Sequence, residues 1–312
     1  MTLSTHATAL WPRHVVREVA IPDAALLDET PHAWLWLDGS HSSTLQDDVF
    51  ATGHRFDSHW VWRGTDWEYT GSGYRAGPLL VPMDAALLDH YLRTWTAPHQ
   101  GLILLGGESA MLITHLQHLR QITAANGDAV RFHLNAARPF EELCEALPSH
   151  RLTELLGPMS SVIWPAHSDG PPLWLRIDNP QPTPTTLLNK GAFALTVTDE
   201  TALGTASHQW FLRNTAQAFA HDYPHAIEPL NGDELVRQFD IFIGEAGGLG
   251  ITRERDIQHY LRLRLLYPQE PFVNDTVLRT ILMARQADPR LRLSEAERHL
   301  QTVTPFRHKD VS

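Results

Sequence analysis

Ala33-Trp34-Leu35-Trp36-Leu37, closed by Asp38-Gly39, decides the fold of the first half of the chain. Side chains alternate along a strand, so five consecutive apolar residues cannot all face one side. Such a strand is buried on both faces and needs a covering layer above and below it. Working outward, Trp60-Val61-Trp62 reads as a second strand with both indoles on one face. Leu102 to Leu105 reads as a short buried strand, and Ala129 to Leu134 as another. Between them, Leu88, Tyr91, Leu92 and Trp95 recur at helical spacing behind Asp84 as N-cap. A second helix carries Leu112, His115, Leu116, Leu119 and Ile122 on one face and is stopped by Asn126-Gly127. A third runs from Phe140 to Leu147. Strands interleaved with helices predict an α/β N-terminal lobe over residues 1–164, a mixed sheet with flanking helices.

Residues 165–190 change texture. Pro165, Pro171, Pro172, Pro180, Pro182 and Pro184 fall there with Ser168-Asp169-Gly170, and such a stretch reads as a connector. Residues 191–312 then predict an all-α lobe. One helix holds Leu203, Trp210, Phe211 and Phe219 and ends before Pro224. The next holds Leu235, Val236, Phe239, Phe242 and Ile243 and breaks at Gly247-Gly248. A third follows Thr252, a fourth carries Val277, Leu278, Ile281 and Leu282, and the last starts with Ser294-Glu295-Ala296-Glu297, the spacing of a capping box.

The 312 residues carry 25 basic and 36 acidic side chains, a formal net charge of −11, with lysine only at 190 and 309. Residues 1–164 hold 10 basic and 18 acidic groups, which suits a neutral or basic partner surface. An acidic chain is poorly suited to phosphate backbones or anionic lipid, so neither nucleic acid nor membrane is expected as a partner. The N-terminus lacks a charged leader with an apolar core, and no apolar run approaches the roughly 20 residues that span a bilayer. Cys144 is the lone cysteine, which excludes internal disulfides and suits a reducing cytosol, so a cytoplasmic location is expected.

The chemistry-bearing residues have structural readings. Gly106-Gly107-Glu108-Ser109 between a strand and a helix has the topology of a nucleophile elbow, but Met111 stands where a small residue is needed, and Ser109 reads as an N-cap. A serine hydrolase using Ser109 is the alternative function. His115 and His118, and His54 and His59 with Asp57, lack the His-Glu-x-x-His pattern or a carboxylate cluster; His115 reads as a packed core histidine and His118 as solvated. Gly244 to Gly250 joins two helices and does not follow a strand, unlike a dinucleotide loop. Glu141, Glu142 and Glu145 read as a solvated acidic face, whose charge disfavours a thiolate at Cys144. No catalytic residue, metal or cofactor is expected. Trp34, Trp36, Trp60, Trp62 and Trp67 put half of the 10 tryptophans within 34 residues. Trp34 and Trp36 read as core, while Trp62, Trp67 and Tyr69 stand beside polar, Gly-rich sequence and are the candidate partner-contact residues. A carbohydrate-binding module built on the same cluster is a further reading.

Several motifs occur in a familiar order: Trp34-Leu35-Trp36-Leu37-Asp38-Gly39, Gly77-Pro78-Leu79-Leu80-Val81-Pro82, the strand-Ser-helix block ending His118-Leu119-Arg120, and Leu156-Gly157-Pro158. Gly250-Ile251-Thr252 and Asp256-Ile257-Gln258-His259-Tyr260-Leu261 follow. This order resembles the effector-adaptor, or chaperone, family of bacterial type VI secretion systems, long catalogued as a domain of unknown function. One departure stands out: Arg131 to Arg138 replaces the aromatic strand ending in Asp-Pro-Arg that family members tend to carry. The resemblance implies a non-enzymatic adaptor that binds a type VI effector and helps load it onto the VgrG spike.

Overall fold

The computed structural model describes residues 10–28, 30–40, 42–54, 56–69, 73–96, 101–132, 134, 137–166, 173–183, 190–227, 230 and 232–303. The chain forms two compact units, Arg13–His208, and Met1–Pro12 with Gln209–Ser312.

The first unit is built on a seven-stranded sheet. Its strands are β1 (Arg17–Val19), β2 (Ala33–Asp38), β3 (His59–Trp60), β4 (Pro78–Pro82), β5 (Leu102–Leu105), and two further strands, Ser161–Pro165 and Trp174–Asp178, in the order β1, Trp174–Asp178, Ser161–Pro165, β5, β2, β4, β3. Every pairing in this sheet is antiparallel, not mixed. The interleaved helices suggested parallel neighbours, but β2 lies between β4 and β5. The helix joining those two therefore crosses over an intervening strand. Along β2, Trp34 and Trp36 enter one core and Leu35 and Leu37 the other. The first core is covered by α4 (Ser109–Leu119), α5 (Ala137–Ala146) and α6 (Ser149–Leu156). The second is covered by α1 (Ala25–Asp28), α2 (Leu45–Ala51) and α3 (Ala85–His90), which runs on through a π-type turn, Tyr91–Trp95. Asp84 caps α3 as expected, its carboxylate accepting the Leu87 N–H at 2.8 Å.

Three local expectations change. The strand at Trp60 ends there, because Val61 to Gly64 turns. Trp60 therefore packs into the α1–α3 side and Trp62 into the opposite core. Asn126-Gly127 does not stop α4, which ends at Leu119. It makes the turn of a separate hairpin of β6 (Gln121–Thr123) and β7 (Ala129–Arg131), closed by Ala124 N–H on the Asp128 carbonyl at 2.8 Å. The expected connector at 165–190 contains structure as well. Ser161–Pro165, now β8, and Trp174–Asp178, now β9, pair as a hairpin inside the sheet. Pro165 closes β8 opposite Trp174, while Pro180 and Pro182 follow β9, so these prolines edge the strands without interrupting them. Ser168 to Pro172, Pro184, and His133, Asn135 and Ala136 lie outside the described residues.

The helix α7 (Val197–Asp222) carries the chain past His208. Its start is a reciprocal cap: Asp199 N–H donates to Thr196 Oγ1 at 3.1 Å and Thr196 N–H to Asp199 Oδ2 at 2.8 Å. The capping box expected at Ser294–Glu297 falls instead inside α13 (Pro289–Val303). The helical unit comprises the end of α7, α8 (Pro224–Ile227), α9 (Gly232–Gly248), α10 (Glu254–Leu266), α11 (Gln269–Asn274), α12 (Thr276–Met283) and α13. Gly250 closes α9, with Ile251 N–H reaching back to the Ala246 carbonyl at 2.9 Å, so the glycine run is a helix terminus as read. Trp11 belongs to this unit and not to the N-terminal lobe. Its ring stacks on Phe239 at 5.6 Å, and its carbonyl accepts from buried Arg213 at 3.1 Å.

Candidate functional site: an aromatic–arginine surface and a helical groove

The loop from Val61 to Tyr69 is fixed before any partner arrives. Thr65 N–H and Oγ1 both donate to the Trp62 carbonyl, Glu68 Oε2 accepts the Gly64 N–H at 2.9 Å, and Gln117 Nε2 donates to the Val61 carbonyl at 2.8 Å. Trp62 lies so close to Gly77 that a Cβ there would stand 2.4 Å from the indole, which explains why the Gly77-Pro78 motif needs glycine. Trp67 meets Trp62 edge-on at 4.7 Å between ring centroids. Over Trp67 lie the guanidiniums of Arg131, at 4.6 Å from the centroid, and Arg120, at 5.7 Å. Arg63 and Arg75 both lie 5.9 Å from the centre of the Tyr74 ring, and Tyr74 meets Trp60 at 6.0 Å. Asp66 bridges Arg120 at 2.5 Å and Lys190 at 2.9 Å. The Lys190 hydrogen bond, partly offset by burial and reinforced by Arg120, holds the Asp66 carboxyl below its usual range.

Of the three predicted contact residues, Trp62 and Trp67 are half-buried and brought together, whereas Tyr69 is 89% exposed. Trp34 and Trp36 are buried in the core, as read. The arginines around these rings were missed. Their only sequence signal is that Arg63 and Arg75 flank the aromatic loop, and Arg131 arrives through hairpin pairing that spacing does not disclose.

Other candidates take structural positions. Ser109 is the first residue of α4 after Glu108 and does not cap it; among the described residues no hydrogen bond joins it to a histidine or carboxylate. His115 is buried, its Nε2–H donating to the Leu155 carbonyl at 2.9 Å, and burial pushes its pKa down to about 4. Gly157 sits at φ 54° where a Cβ would lie 2.4 Å from that imidazole, so the Leu156-Gly157-Pro158 motif is a seat for His115. His118 is half-buried and not freely solvated; burial and Arg120 lower its pKa. Among the described residues no three of His, Cys, Asp and Glu gather as metal ligands. Glu141 and Glu145 are not a solvated face. Glu141 is 3% exposed and pairs with Arg13 at 2.8 Å, while Glu145 accepts the N–H groups of His14, Val15 and Val16 at 2.7 to 3.0 Å. Together they strap the entering chain beside β1. Burial, with Glu145 and Glu141 beside it, raises the Cys144 thiol well above its usual value.

The helical unit carries a groove of about 780 Å³ whose wall mixes apolar residues such as Leu230, Ile241 and Phe242 with polar ones such as Asp222, Arg237 and Gln269. Ile241 is half exposed on its rim. Beneath it, Arg264 is clamped between the rings of Phe242 and Phe272, both 4.5 Å away, and paired with Glu245 at 2.9 Å. Such a volume and mixed lining suit an amphipathic segment of a partner.

No helix of the described residues is long and apolar enough to cross a membrane. Neither a curated protein nor a solved structure matches the chain. Residues 33–154, which run from the first residue of β2 into α6 and include Trp62, Trp67, Tyr69 and the arginines stacked on these rings, match the model of a family described as a domain of unknown function (DUF4123).

Proposed function

We propose that this protein is a non-enzymatic adaptor that binds a type VI secretion effector in the bacterial cytoplasm and helps load it onto the VgrG spike. The observation that carries this reading is the coincidence of two signals over one interval. The motifs from Trp34 to Arg120 that resemble the adaptor family lie within the 33–154 match. Two surfaces of unlike chemistry support it, one aromatic and cationic on the sheet unit, the other a groove of mixed apolar and polar lining on the helical unit. An adaptor that contacts cargo and spike needs separate surfaces, and a few rigid aromatic anchors supply most of the affinity at each.

Co-expression with the effector and VgrG encoded beside it tests the reading. Recovery of the adaptor with one or both partners on size exclusion is the expected result. Absence of any complex with either neighbour overturns it.

A further inference from the structure

The sheet unit has ten described arginines, and seven of them reach a carboxylate: Arg13, Arg17, Arg93, Arg120, Arg138, Arg151 and Arg176. Arg63, Arg75 and Arg131 do not, among the described residues. All three are exposed: Arg131 lies 4.6 Å from the centre of the Trp67 ring, Arg63 belongs to the same hydrogen-bonded loop as Trp67, and Arg63 and Arg75 both lie 5.9 Å from the centre of the Tyr74 ring. In a chain where acidic groups outnumber basic ones by 36 to 25, three guanidiniums beside aromatic rings and without a carboxylate partner among the described residues need a reason.

We propose that this surface is a docking site for an acidic segment of the effector that the adaptor carries, a proposal that rests on the adaptor reading. A guanidinium over a ring, as Arg131 is over Trp67, turns its flat face to the ring and leaves the N–H edge to match a carboxylate in two-pronged geometry, while Arg63 and Arg75 beside Tyr74 add positive charge. Stacking also orders long side chains before binding, which lowers the entropy lost on docking. The nearby acids do not compete. Asp66 is occupied by Arg120 and Lys190, and Glu68 by the Gly64 N–H. Tyr69, two residues after Trp67, is 89% exposed and offers a further aromatic side chain. The excess of acid over residues 1–164 suggested a neutral or basic partner; this surface is locally the reverse of that average. Three guanidiniums on a chain of net charge −11 are too few to hold the continuous phosphates of a nucleic acid against overall repulsion, whereas they suffice for a short run of carboxylates. The effector is the partner assigned because cargo must be given up. Exposed charge contacts speed encounter and dissociate readily as conditions change.

The test uses the full chain and a fluorescein-labelled peptide of alternating Asp and Glu carrying one Trp. Anisotropy is expected to show binding that weakens as salt rises from about 50 to 300 mM. The double variant R63E/R131E is expected to bind about tenfold or more weakly, with an unchanged thermal melt because both side chains are exposed. Equal binding by the variant, equal binding of a Lys-rich peptide, or tighter binding of a single-stranded oligonucleotide overturns the proposal. In co-expression, the variant is expected to lose the effector and keep VgrG; loss of VgrG with retention of the effector overturns the assignment to cargo. A wild-type chain that captures neither neighbour defeats the adaptor reading, while the peptide measurement still reports on the surface by itself.

Discussion

One strap in the sheet unit meets open backbone donors with a carboxylate, whereas two helix ends in the helical unit have their carbonyls met by an arginine. Where the chain enters the sheet unit, His14, Val15 and Val16 present N–H groups with no strand partner, and Glu145 accepts all three. In the helical unit, carbonyls at two helix ends are met by one arginine. Arg292, 3% exposed, donates to the Leu249 carbonyl beyond α9 at 3.1 Å and to the Leu282 carbonyl near the end of α12 at 2.5 Å. Buried Arg213 holds the Trp11 carbonyl. The difference follows from geometry. A strand segment at a sheet edge leaves donors and acceptors open along its length, whereas a bundle of short helices accumulates open carbonyls at C-termini. Charged residues that look like surface decoration in sequence are therefore structural in both units.

The largest expected effect is at the seat of the sheet unit's buried imidazole. Gly157→Ala drives a methyl into the His115 ring from a backbone position at φ 54°, and is expected to lower stability by roughly 3–4 kcal/mol in urea titration. A change below about 0.5 kcal/mol would show that the contact yields freely. Next comes pH. The folded pKa of His115 is depressed to about 4 from 6.5, so between those values the unfolded chain takes up a proton that the folded chain refuses. Stability is complete above about pH 6.5 and is lost as pH falls towards 4, by up to about 3 kcal/mol. His118, also depressed, acts in the same direction. His115→Asn should flatten most of that slope, and an unchanged slope would assign it elsewhere.

Smaller effects sharpen the contrast between donors and acceptors. Arg292→Met strips two buried carbonyls of their donor and is expected to cost about 2 kcal/mol, with faster amide exchange confined to the helical unit. Glu145→Gln replaces an acceptor with a group that also donates, against three N–H groups, and is expected to cost about 1.5 kcal/mol with loss of exchange protection at Val15 and Val16. Exchange loosening spread over both units in either variant would erase the distinction.

Much of this architecture is legible from residue pattern. The apolar run at 33–37 gives a strand covered on both faces, and helical periodicity locates α4, α5, α7, α9, α10 and α12, because burial of one face is a local property of spacing. Pairing is not local. Nothing near Ser161–Pro165 says that it lies beside β5, and the prolines that suggested a connector flank strands whose ladder they do not interrupt. Asn126-Gly127 was read as a helix stop when it also carries the strongest short-range signal for a hairpin. Ser294 and Thr196 both start a capping-box pattern, and only Thr196 stands where a helix begins. At the candidate site, aromatic composition pointed to Trp62, Trp67 and Tyr69. Arg131 was invisible because a hairpin brings it over Trp67 from 64 residues away.

The adaptor reading is tested most directly by size-exclusion chromatography of the wild-type chain co-expressed with the effector and VgrG encoded beside it. A complex containing the chain and at least one of them is the predicted result, and R63E/R131E should release the effector from it. Elution of the wild-type chain alone, well folded and with both neighbours present in soluble form, would contradict the account.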